Sequence, residues 1–179
     1  MTLYVVYVKD TGHVVGAVNA AGDAPPGEGD VGALVGDALP MRVSVDGKVV
    51  RLPLPAERLA LHTADDEPRV FDNPLAYGVE LAGGQPKPTL VELRPESPEL
   101  AFSNNSLVVT VQPDDPINDT PVLALVSDGE KVHVRPWAIP AGGDSVEIPV
   151  TVSEGNHGVL VLVAGWIGIL ATEIKAARS

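Results

Sequence analysis

From Leu3 to about Ile174 the chain is a succession of short, β-branched segments separated by turn chemistry. No helical periodicity runs to a conventional length. Residues 4–8, 14–18, 41–45, 48–52, 107–111, 122–126, 131–135, 145–150 and 159–163 are rich in valine. Between them stand Thr11-Gly12, Asp46-Gly47, Ser127-Asp128-Gly129-Glu130 and Ala141-Gly142-Gly143-Asp144. Stiff, branched side chains favour a pleated backbone, while Gly, Asp and Asn supply the conformations that hairpins require. The pattern predicts an all-β protein.

Its 179 residues are 45% hydrophobic and 20% charged, enough to bury a core without covalent staples. The 18 glycines and 17 prolines are spread over many connections, as turns require, rather than gathered into a low-complexity run. Cysteine is absent, which excludes disulfides, thiolate metal sites and a cysteine nucleophile. That absence leans toward a reducing compartment or a large assembly. Met1 leads directly into a strand-like Leu3-Tyr4-Val5-Val6-Tyr7, with neither a basic leader nor a small-residue cleavage site. The expectation is a soluble chain, cytoplasmic or particle-associated, with no signal peptide and no transmembrane segment. The longest apolar run, residues 158–171, carries three glycines. It falls short of the roughly 20 residues a spanning helix needs, and a buried strand pair accounts for it.

Twelve basic against 24 acidic residues give a net charge of −12. Residues 1–95 hold 8 basic and 13 acidic, and residues 96–179 hold 4 and 11, so the excess is general. Such a surface repels phosphate backbones and anionic lipid, which argues against nucleic-acid and membrane partners.

The proline-rich stretch 83–103 marks a boundary, with one short strand candidate at 89–93 inside an extended connector. Residues 1–95 form an N-terminal hairpin-rich unit. It holds a hairpin over 4–18, a Gly/Pro-rich arm at 19–30 and a second hairpin turning at Asp46-Gly47. In that second hairpin Val43, Val45, Val49 and Arg51 are assigned to one face, and Arg42, Ser44, Lys48 and Val50 to the other. Residues 55–62 suit a helical turn or a strand equally. Residues 96–179 carry six strand candidates with turns every 8–14 residues, the spacing of a β-sandwich, Ig-like or jelly-roll-like. Segments 122–126 and 159–163 are apolar throughout and are expected centrally. Lys131, His133 and Arg135 alternate with Val132 and Val134, as on an outer strand with one wet face.

Candidate chemistry is thin. His13, His62, His133 and His157 have no metal-binding spacing, and no Ser sits in a nucleophile elbow. His62 precedes Asp65, Asp66 and Glu67, a combination that could perform acid/base work if the carboxylates converged; consecutive loop residues project apart. Asp114, Asp115 and Asp119 form the best calcium candidate, in an oxygen-rich loop without EF-hand spacing. An Asx-turn explains the same residues. The glycines at 27–36 have acidic neighbours and no lysine, so they do not make a phosphate cradle. Aromatic residues are only 4% of the chain, too few for sugar or single-strand stacking platforms. Tyr4, Tyr7, Trp137 and Trp166 are the candidate interface anchors, because Trp and Tyr are enriched at contact centres. The composite expectation is a non-enzymatic structural or assembly subunit that uses no cofactor. It binds protein partners or further copies of itself through strand edges and loops, as in a phage-tail or contractile-injection-like particle. The alternative is a ligand-binding module for carbohydrate, peptide or calcium, using loops of the second half.

Overall fold

The computed structural model describes residues 2–21, 31–82, 85–103, 105–112 and 117–176. These are nearly all β. The first hairpin pairs β1 (Thr2–Val8) with β2 (Val14–Ala20). A five-residue helix α1 (Val31–Val35) precedes the second hairpin, β3 (Ala38–Val45) and β4 (Lys48–Pro55). Its turn needs positive φ at both central residues, and Asp46 and Gly47 supply φ of 49° and 75°. The ambiguous stretch after Pro55 is both things expected of it: a 3₁₀ turn over Ala56–Arg58, then β5 (Leu59–Ala64). Two more 3₁₀ turns, Pro68–Phe71 and Pro74–Ala76, lead to β6 (Tyr77–Ala82) and β7 (Gln85–Glu92). The second half adds β8 (Glu99–Ser103), β9 (Ser106–Thr110), β10 (Thr120–Asp128), β11 (Lys131–Ile139), β12 (Ser145–Pro149), β13 (Gly155–Val163) and β14 (Ile169–Ala176). The stretch read as a connector thus holds two strands, with Pro86 and Pro88 in a two-stranded sheet where no inner ladder is broken.

Among the described residues five sheets result: β2-β1-β5, β11-β10-β13-β14, β12-β9-β8, β3-β4 and β6-β7. β10 and β13 are the inner strands of the four-stranded sheet, and alternate residues feed two different interiors. Val122, Ala124, Val126, Val159, Val161 and Val163 pack with Leu107, Val109 and Ile148 of the β12-β9-β8 sheet. Leu123, Leu125, Leu160 and Leu162 face the opposite way. There they meet Val43, Val45, Leu52 and Leu54 of the second hairpin and Tyr4, Val6 and Val8 of β1. One apolar cluster therefore takes side chains from both halves of the chain. Leu3, Val5 and Tyr7, on the other face of β1, join Val14, Val70, Tyr77 and Val79 in a third cluster. The period of two along a strand produces this sorting.

The β3-β4 register corrects the expected faces of that hairpin. Residues directly opposite in an antiparallel pair share a face, and a two-residue turn sets Val43 against Val50 and Ser44 against Val49. Val49 is 69% exposed, together with Arg42, Ser44 and Arg51, while Val43, Val45, Leu52 and Leu54 are buried. The close seating of this hairpin on the four-stranded sheet requires Gly158, where a Cβ would lie 2.7 Å from Val43 Cγ1.

Candidate functional site: a half-exposed tryptophan and the seams beside it

The four candidate anchors do not converge. Tyr4, Tyr7 and Trp166 are 5%, 7% and 6% exposed and belong to three different apolar clusters. The reason is topological. β1 pairs with β2 on one side and β5 on the other, so it is not a free edge able to augment a neighbouring sheet, and both its faces are covered. Burial also pushes the Tyr7 hydroxyl up from its usual range. Trp137 alone is at the surface, 45% exposed near the end of the edge strand β11.

The edge of β11 is obstructed. Its two-residue turn at Gly129-Glu130 pairs Asp128 with Lys131, so the odd-numbered residues of β11 bond to β10 and the even-numbered ones point outward. Pro136, at an outward position, has no N–H to offer. The outward carbonyl of Val134 already accepts from Arg135 Nη1 at 3.1 Å, and Arg135 Nε donates to the Pro149 carbonyl. These are the devices by which edge strands avoid pairing with foreign strands. What β11 leaves open is the side-chain surface around Trp137.

Trp166 is held in a seam. His13 is fully buried, with Nε2 2.7 Å from the Trp166 carbonyl oxygen and Nδ1 2.8 Å from Thr11 Oγ1. A neutral ring that donates from Nε2 and accepts from the threonine hydroxyl satisfies both contacts. Burial lowers the His13 pKa to about 4, against the opposing pull of the Trp166 bond. On the far side, Arg94 Cζ lies 4.5 Å from the centre of the Trp166 ring. Backbone bonds from Arg94 to Gly165 and from Ile167 to Arg94 fasten the same turn. His13 is thus a structural tie between the β1-β2 loop and the β13-β14 turn.

His157 ties the other seam. It is 4% exposed, with Nδ1 2.6 Å from the Ser127 carbonyl and Nε2 2.7 Å from the Ser153 carbonyl. The Phe102 ring meets it edge-on. Ser127 Oγ accepts from the Gly158 N–H, and Asp128 Oδ1 accepts from the Ser153 hydroxyl and N–H. Those bonds hold the Asp128 carboxyl below its usual range. Beside this network lies a cleft of about 530 Å³ lined by Asp46, Lys48, Glu130, Glu154 and Asn156. Asn156 Nδ2 donates to Asp46 Oδ1 across it.

The remaining candidates stay apart. His62 Nε2 is buried without a partner, so no carboxylate of the 65–67 run bonds to that nitrogen. Glu67 instead caps the turn that follows and pairs with Arg69, which lowers its carboxyl pKa. Asp65 Oδ2 lies 3.5 Å from Thr89 Oγ1. Asp114 and Asp115 are outside the described residues. Asp119 accepts from the Ala141 N–H at 3.0 Å, bracing the turn before β12. Among the described residues no three His, Asp or Glu side chains are grouped to hold a metal ion. No helix among them is long and apolar enough to cross a membrane. The ties made by His13 and His157 were missed by sequence reasoning, because their partners are backbone carbonyls 153 and 30 residues away. Comparison with protein families, with characterised proteins and with solved structures finds no match to the chain.

Proposed function

We propose that the chain is a non-enzymatic structural subunit of a larger protein complex, and that side-chain contacts centred on Trp137 join it to its neighbours. The observation that carries this is the half-exposed indole on a rigid strand whose inner neighbour, β10, is buried from Val122 to Val126. Aromatic anchors on rigid elements are the common centre of protein contacts. A phage-tail or contractile-injection-like particle is the setting that suits a cysteine-free, acidic, β-rich subunit of this size; fold-class analogy alone supplies that step. The obstruction along β11 makes the contact one of side chains and loops rather than strand addition. Light scattering on the purified protein, with retrieval of partners from a lysate, tests the proposal. A complex that Trp137→Ser dissolves is expected; a strict monomer that retrieves nothing overturns it.

A second reading rests on the 530 Å³ cleft, whose polar lining would suit a small ligand of a binding module. A hit on a glycan or peptide array that Asn156→Ala abolishes would favour it.

A further inference from the structure

The outer face of the β3-β4 hairpin carries basic charge in this acidic molecule. Arg42 and Arg51 are direct cross-strand partners. By the alternation from the Asp46-Gly47 turn they occupy a non-hydrogen-bonded pair, the closer of the two spacings. Both are exposed, and among the described residues neither has an ion pair or side-chain hydrogen bond. Arg58, Arg69 and Lys87 show the contrast, since each is paired with a carboxylate. In a chain with two acids for every base, two unneutralised guanidinium groups side by side are a local inversion of charge. Ser44 and the exposed Val49 complete the face. Its reverse, with Val43, Val45, Leu52 and Leu54, is fixed in the shared core, so the platform is rigid.

We infer that this hairpin face docks an acidic protein segment, with Arg42 and Arg51 receiving its carboxylates and Val49 packing beside them. Guanidinium groups match carboxylates in planar, two-pronged contacts. A protein segment fits better than a nucleic acid for two reasons. The net charge of −12 repels a continuous polyanion, whereas carboxylates that reach the face lie within about 8 Å of the arginines, inside the screening length. The exposed valine also offers a phosphate backbone nothing. This surface is distinct from the one around Trp137 and extends the assembly reading to a second contact. A protein that stays monomeric and partnerless yet binds the probe below would overturn that reading and leave this one standing.

The test is fluorescence anisotropy of a labelled short peptide in which a pair of glutamates flanks a leucine among serines, with the full chain, alongside a short DNA duplex, at about 20 and 150 mM salt. The expected result is peptide binding that weakens with salt, exceeds duplex binding, and falls at least about tenfold in an Arg42→Ser/Arg51→Ser variant. A thermal melt of that variant, expected at or above the parent midpoint because a like-charge pair is gone, shows that the loss is not unfolding. Peptide affinity unchanged in the double variant, absence of peptide binding at low salt, or tighter binding of the duplex than of the peptide would each overturn the inference.

Discussion

The two tryptophans stand in similar sequence surroundings and meet opposite fates. Trp137 lies near the end of an alternating strand and Trp166 just beyond an apolar one, and both sit within a few residues of glycine or proline. Trp166 lies in a turn that three other segments grip: His13 at its carbonyl, Arg94 over its ring, and Leu75 through the Gly168 N–H. Trp137 lies on a strand with a neighbour on one side only. The difference teaches that burial of a large aromatic here depends on what distant chain returns to cover it. The covered indole stabilises the fold, and the uncovered one is the anchor of the proposed contact.

The largest way to sharpen the contrast is truncation. Trp166→Ala should cost about 3–5 kcal/mol, through an unfilled interior and the loss of Arg94's ring partner. Urea unfolding measures it, and a cost below about 1 kcal/mol would remove the distinction. Next comes the tie that holds Trp166. His13 has a native pKa of about 4, below the 6.5 of an unfolded imidazole, so the unfolded chain takes up its proton first as pH falls. The stability this contributes is complete above pH 6.5 and declines as pH drops toward 4, by about 3 kcal/mol. Melts across that interval should show the decline, and His13→Asn should flatten it.

Gly158→Ala tests the seating of the second hairpin. A methyl group 2.7 Å from Val43 Cγ1 forces that strand to move, at about 1–3 kcal/mol. Arg51→Thr works in the other direction, removing a like-charge pair and adding a β-branched residue on an exposed face. A gain of up to about 1 kcal/mol in thermal unfolding is expected. The smallest effect on stability belongs to Trp137→Ser, within about 1 kcal/mol of the parent by urea unfolding, since much of the indole is already in solvent.

Strand positions were legible because β-branched runs and turn residues act locally. Residues 122–126 and 159–163 are the inner strands, and Lys131–Arg135 lies on an outer one, as their composition implied. The same local signals left three things unread. The register of the second hairpin slipped by one residue in the sequence reading, and that slip moved Lys48, Val49, Val50 and Arg51 to the wrong faces. β8 was hidden among prolines, its Leu100 and Phe102 too few to reveal an edge strand. Tyr4 and Tyr7 looked available because the sequence does not disclose that β5, some fifty residues on, pairs with β1. The arginine pair was in view from the start, but only the register places its members opposite each other.

Acrylamide quenching of tryptophan fluorescence, at low protein concentration, tests the contrast most directly. Two classes of emission are predicted, one readily quenched and one shielded, with Trp137→Phe removing the quenched class alone. Equal quenching of both indoles, or loss of the shielded class in that variant, would contradict the division between a covered and an uncovered tryptophan.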